Sequence, residues 1–337
     1  MTRLLLKKGL PQCGALLVML LACWLVSPQF FDIRLQDGRL FGSLVDVLNR
    51  GAPVAILAVG MTLVIATGGI DLSVGAVMAI SGAVAASLAD SQPIAVALLA
   101  ALAVGVACGL WNALLIALFR IQPIVATLIL MVAGRGIAQL ITQGKIVTFA
   151  SPDLAFMGNG AFLTVPMPIL LVAAMLLVTG LLVRQTALGL MIEATGANAR
   201  AAWLAGIRTR AITAIAYVWS GFAAALAGVI AAANILGADA NNAGLWLELD
   251  AILAVVIGGT SLLGGRFSLS LSVVGALIIQ AMNTGILLSG IRPEFNLVMK
   301  AAIVLSVLFL QSRLFHRAVA HLRPQPVEPP LAKEVRS

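Results

Sequence analysis

Ten apolar runs, near 12–30, 51–67, 71–89, 93–119, 122–142, 166–183, 211–233, 246–263, 268–288 and 295–312, alternate with short polar or Gly- and Pro-containing stretches along this chain. Most approach the ~20 residues that a helix needs to cross a ~30 Å hydrocarbon layer. They are continuously apolar and lack the in/out alternation of a barrel strand. The pattern predicts an all-α, polytopic helical membrane protein of about ten transmembrane helices. Two runs are interrupted by glycine pairs: the 51–67 run is parted from the next by Gly68 and Gly69, and Gly258 and Gly259 fall inside the eighth. The segments "VIATGGIDLSVG" (64–75) and "AVVIGGTSLLGG" (254–265) echo each other, and paired Gly-interrupted segments point to a transport pathway.

The intervening segments set the organisation. Residues 1–43 read as a first helix plus an outer loop, 44–312 as the helical membrane core, and 313–337 as a Pro-rich, polar tail expected to be disordered. The stretches 31–50 and 143–165 are long enough to be more than turns. The longest inner loop, 184–210, is Ala-rich, and the spacing of Met191, Ala194 and Ala202 predicts short helices along the membrane surface.

Composition supports this picture. The chain has 337 residues, 61% apolar and 10% charged, where a soluble domain carries about a quarter charged. Its net charge of +8 does not suggest nucleic acid, because the basic residues sit in loops and tails without aromatic interleaving. With the N-terminus inside, Arg3, Lys7, Lys8, Arg120, Arg184, Arg200, Arg208, Arg210, Arg266, Arg313, Arg317, Arg323, Lys333 and Arg336 all fall on the inner side, fourteen of the 21 Lys and Arg. Ten crossings with both termini cytoplasmic satisfy the positive-inside bias. The first run lacks a convincing cleavage site after "WLVSPQF" and is read as an uncleaved helix. Cys13, Cys23 and Cys108 lie inside apolar runs and are expected to pack, without disulfide or metal spacing.

No catalytic or metal-binding constellation emerges, and GxxxxGK[ST] is absent, so any ATP driving this chain is hydrolysed on another one. The candidates for chemistry are the polar residues inside apolar surroundings. Asp71 follows the glycine pair, where a carboxylate can start a helix by accepting free N–H groups or contact a substrate. Arg135, in "MVAGRGIAQLIT", either snorkels to an interface, neutralises a carboxylate such as Asp71, or lines a hydrated path and binds hydroxyls. Asn112, Thr127 and Gln139 fit interhelical hydrogen bonds or a polar path. At the outer side, Asn241, Asn242 and Glu248 belong to an acidic-to-neutral mouth suited to a neutral polyol. Gly105-x-x-x-Gly109 reads as helix-packing surface.

Four ordered stretches, "ATGGIDLSVGAVMAISGAVAA", "GLWNALLIALFRIQPIVATLILMVAGRG", "ALGLMIEATGANARAAWLAGI" and "LELDAILAVVIGGTSLLGGR", resemble the membrane subunits of ribose-type sugar importers of the ATP-binding cassette (ABC) class. The likeness runs from about 44 to 312 and is strongest to the galactofuranose branch of that family, through "LQDGRLFGS" and "GADANNAGLWLELDAILAVVIGG". It implies a multi-pass protein of the bacterial inner membrane that imports a monosaccharide, galactofuranose first. It also implies a second permease subunit in a homo- or heterodimer, a cytoplasmic ABC ATPase that carries the ATP and Mg, and a periplasmic sugar-binding protein. Glu193, Ala194, Gly196, Asn198 and Gly206 match the family's ATPase-coupling segment, although Thr195 interrupts its Glu-Ala-Ala form. The rival readings are an ion-coupled secondary sugar transporter acting alone, with Asp71 and Arg135 as its coupled pair, and a membrane scaffold without transport.

Overall fold

The computed structural model describes residues 2–290, except 37, together with 292, 295, 297–302 and 305. Twelve helices make up its main unit, residues 1–291, among the described residues. In order they are α1 (Thr2–Val26), α2 (Ser43–Ala66), α3 (Val74–Leu88), α4 (Ile94–Ala113), α5 (Pro123–Thr142), α6 (Pro152–Asn159), α7 (Met167–Gln185), α8 (Leu188–Ala197), α9 (Ala199–Leu204), α10 (Thr209–Ile235), α11 (Leu247–Ile257) and α12 (Leu269–Leu288). Seven of these, α1, α2, α4, α5, α7, α10 and α12, are long and apolar enough to cross a membrane, among the described residues. The chain is therefore a multi-pass helical membrane protein.

Two helices form the centre. Every residue of α2 from Gly51 to Ala66 is buried, and a helix apolar on all sides is a core helix. α10 packs against α2, α3 and α4. Small residues permit this: a Cβ on Gly105 of α4 would lie 2.4 Å from the Ala225 Cβ of α10, and one on Gly109 only 2.6 Å from the Tyr217 carbonyl. The Gly105-x-x-x-Gly109 stripe is thus the surface on which α4 meets α10. Polar seams are few; Thr62 of α2 donates to Ser272 of α12 at 2.8 Å.

Loops gather at two ends of the bundle. At one, a hairpin of β1 (Arg34–Gln36) and β2 (Arg39–Phe41) meets the 143–166 segment, with Leu40 N–H on the Thr164 carbonyl. There β3 (Val147–Thr148) pairs antiparallel with β6 (Gly237–Ala238), and β4 (Ala161–Phe162) with β5 (Val165–Pro166). At the other end lie the loop 119–122, the helices α8 and α9, and the glycine-rich turn 258–265.

The interrupted runs become short helices. α3 has 15 residues and α11 has 11, about 22 and 16 Å at 1.5 Å per residue, too short for a ~30 Å layer. Irregular chain at 67–73 and 239–246 leads into each of them. Several readings change accordingly. The outer stretch 31–50 shortens, because α2 starts at Ser43 and carries Asp46, Asn49 and Arg50 inside a helix whose apolar face continues through them. The echo between 64–75 and 254–265 falls just after a helix in both places, α2 and α11, with Gly68 and Gly259 at φ +84° and +87°; the short helix follows the first pair and precedes the second. Cys23 is buried against the Ala281 carbonyl, whereas Cys13 is exposed. The tenth run, 295–312, lies mostly outside the described residues, and the tail 313–337 wholly so.

Candidate functional site

The break after α2 builds a buried polar cluster. Gly68 turns the chain with φ +84°, and Gly69 lies so close to Tyr217 that a Cβ would sit 2.4 Å from its hydroxyl. Asp71, 1% exposed, is thereby carried inside the bundle. Its Oδ1 accepts from the Ser73 N–H at 3.0 Å, the Ser73 hydroxyl at 2.6 Å and Asn112 Nδ2 at 3.5 Å, while Oδ2 accepts from the Ser220 hydroxyl at 2.8 Å. Asn112 Nδ2 also donates to Ser73 Oγ at 2.8 Å. The carboxylate thus turns the chain into α3 and ties that turn to α4 and α10. Tyr217 and Thr127 both donate to the Ile70 carbonyl, at 3.3 and 3.4 Å, and fix the residue before it. A buried charge surrounded by aimed donors is tolerated where an isolated one is not.

A second cluster joins α5 to the 239–246 loop. Arg135 donates to the carbonyls of Ala240 and Ala243 at 3.0 and 2.5 Å. Gln139 Nε2 donates to Asn241 Oδ1 at 2.8 Å. Asp239 accepts from the Asn242 side chain at 2.7 Å and from the N–H groups of Asn241 and Asn242, and these bonds hold its carboxyl below the usual range. Glu248 opens α11 and is nearly buried. The two clusters meet where the short helices begin: a Cβ on Gly75 would lie 2.3 Å from the Gly244 carbonyl and 2.5 Å from Glu248 Oε2. Two helix N-termini therefore converge inside the bundle, each with a carboxylate beside it, in the arrangement that broken helices give to transport sites. Asp71 and Arg135 use different partners, so the geometry does not join them as a pair.

The 184–210 stretch forms α8 and α9, which contact the opposite end of the core. A Cβ on Gly196 would lie 1.8 Å from the Ala66 carbonyl and 2.5 Å from the Gly265 nitrogen. Gly265 N–H itself donates to the Ala66 carbonyl at 2.9 Å. Gly196 thus rests on the last residue of α2, five positions before Asp71. The other residues of this group shape the segment: Asn198 caps α9 by accepting the Ala201 N–H at 3.0 Å, its own N–H meets the Ala194 carbonyl at 3.1 Å, and Gly206 ends the unit with φ +89°. Glu193 lines a cleft of about 300 Å³ beside the start of α12.

A larger cavity of about 1200 Å³ opens at this end, roofed by Gly68, Gly69 and Tyr217 and edged by Thr195, Trp203 and Arg120. Sequence reasoning did not find Ser220, Tyr217 or this cavity. A serine inside an apolar helix looks like packing, and only the fold brings it to Asp71; Tyr217 is the one tyrosine in the chain, which was a usable signal.

Comparison with known proteins agrees in class. A family described as branched-chain amino acid transport system / permease component matches residues 43–308. The galactofuranose transporter permease protein YtfT of Escherichia coli (strain K12) is 62% identical over 316 residues, covering 94% of this chain and 93% of that protein. The fructose import permease protein FruF of Bifidobacterium longum (strain NCC 2705) is 39% identical, covering 92% and 89%. The ribose import permease protein RbsC of Escherichia coli (strain K12) is 38% identical, covering 89% and 92%. No solved structure matches the chain.

Proposed function

The chain belongs to the permease-component family of branched-chain amino acid transport systems, and on that footing we propose that it is the membrane-spanning permease subunit of an ABC sugar importer, with galactofuranose as its cargo. It sits in the bacterial inner membrane with ten crossings and both termini in the cytoplasm. Its partners are a cytoplasmic ABC ATPase that binds ATP and Mg, a periplasmic sugar-binding protein and a second permease subunit.

The observation that carries this reading furthest is the seat of Gly196 against Ala66 and Gly265. Force applied to α8 and α9 by a partner reaches the end of α2 through rigid backbone contact. From there it reaches the Asp71 turn within five residues, and through Gly75 both the loop that holds Asn241 and Asn242 and the start of α11 at Glu248. ATP-driven closure of the ATPase pair shifts this chain of contacts, which opens the path alternately to the two sides. Asp71 and Asn112 act by holding the break in shape, because both Asp71 oxygens and the Asn112 amide nitrogen are turned onto protein partners. Arg135, Gln139, Asn241, Asn242 and Glu248 stand nearer the outer loops, where amides and carbonyls suit a neutral sugar released by the binding protein.

Reconstitution tests the proposal. Proteoliposomes holding the permease, its ATPase and the loaded binding protein are expected to accumulate radiolabelled galactofuranose only with ATP. Accumulation without the ATPase that collapses with the proton gradient would overturn it in favour of a secondary transporter.

A further inference from the structure

The large cavity at the α8–α9 end carries charge that a neutral sugar does not need. Arg120, Arg200, Arg208 and Arg210 all line it, and no aspartate or glutamate does. None of the four guanidinium groups makes a hydrogen bond or ion pair with a described residue, so four positive charges share one concavity without a counter-charge there. A second feature points the same way. Thr195 lines the same cavity, is 4% exposed, and its hydroxyl has no hydrogen-bond partner among the described residues. Buried polar atoms are normally satisfied, and an orphan invites a ligand or water.

The flank of the cavity narrows the class of ligand. Leu118 and Phe119 adjoin Arg120, and Trp203 and Leu204 lie between Arg200 and Arg208; all four are strongly exposed. A neutral sugar needs no such charge, and acidic groups alone need no such apolar border. A phosphate-bearing amphiphile needs both, because guanidinium forks match phosphate oxygens and the apolar rim accepts acyl chains. Basic pockets between helix ends on the cytoplasmic side bind anionic headgroups for this reason. We propose that this cavity holds an anionic phospholipid of the inner leaflet, with its phosphodiester on the arginines and a headgroup hydroxyl toward Thr195. This rests on the orientation in the proposed function, which puts α8 and α9 in the cytoplasm.

Native mass spectrometry of the purified full-length permease, exchanged against phosphatidylglycerol or phosphatidylcholine, tests it without any transport readout. The wild type is expected to retain phosphatidylglycerol over phosphatidylcholine. The double variant Arg120→Gln, Arg200→Gln is expected to weaken that retention by roughly tenfold or more, since two charge-assisted hydrogen bonds to the phosphate are lost. Arg184→Gln, outside the cavity, is expected to retain the lipid as the wild type does. Unchanged thermal midpoints in phosphatidylcholine confirm that the variants are folded. Equal retention by the double variant would overturn the proposal. So would displacement of the lipid by equimolar inorganic phosphate, which makes it a free-anion site, or its expulsion by the bound ATPase, which makes the arginines a protein contact. If uptake fails the test above while the lipid is still retained, the transport reading falls and the lipid site stands.

Discussion

Asp71 binds Ser73, Asn112 and Ser220 rather than a cation, so removing its carboxylate strands several donors at once. Orphaned buried polar groups cost about 1–3 kcal/mol each. Asp71→Ala is therefore expected to lower the thermal midpoint of the purified permease markedly. Ser220→Ala, which removes one donor, should lower it less, by the equivalent of about 1–3 kcal/mol. An unchanged midpoint for Asp71→Ala would contradict the role assigned to it. The sequence made Asp71 and Asn112 visible because both are polar inside apolar runs, but not their partners, since a hydrogen bond across 149 residues of separation depends on topology. Arg135 shows the same limit: its charge suggested a carboxylate, yet its partners are carbonyls of an irregular loop that no periodicity describes. In that loop the carboxyl of Asp239 is held below its usual value, so its contribution is complete above the unfolded pKa of about 3.9 and is lost as pH falls through the lower folded value. The difference in thermal midpoint between the wild type and Asp239→Asn is therefore expected to hold between pH 7 and 5 and to shrink in stronger acid; a difference independent of pH would contradict this.

Among the elements, α3 and α11 were the hardest to read. Their apolar runs are as long as those of true crossings, and the breaks are set by glycine turns and polar contacts instead of by hydropathy. The meeting of their N-termini depends on the absence of side chains at Gly75 and Gly244. Gly75→Ala would place a Cβ 2.3 Å from the Gly244 carbonyl, closer than any contact can stand, so the two short helices must part. Uptake is expected to fall severely, while limited proteolysis of the hairpin and of the 143–166 segment stays as in the wild type. Wild-type uptake in Gly75→Ala would mean that this junction does not matter for transport. The long helices were legible because an apolar stretch of ~20 residues has one stable form in lipid. The surface helices α8 and α9 were legible from alanine content and spacing, but their seat on α2 was not.

At the scale of the whole molecule, the chain contains a bundle with a break at its centre and the short helices α8 and α9 at one end, and its sequence lacks GxxxxGK[ST]. The account holds that movement enters at α8 and α9 and passes through Gly196 to Ala66 and the Asp71 turn. The direct measurement is ATP-dependent sugar uptake, together with sugar-stimulated ATP hydrolysis, by the complete reconstituted importer carrying Gly196→Val. The variant side chain cannot occupy the space beside the Ala66 carbonyl, where a Cβ would already lie at 1.8 Å, so α8 must lift from α2. The account predicts normal insertion and normal binding-protein docking, with uptake lost and hydrolysis no longer responsive to sugar. Full uptake by a correctly inserted Gly196→Val importer would contradict it.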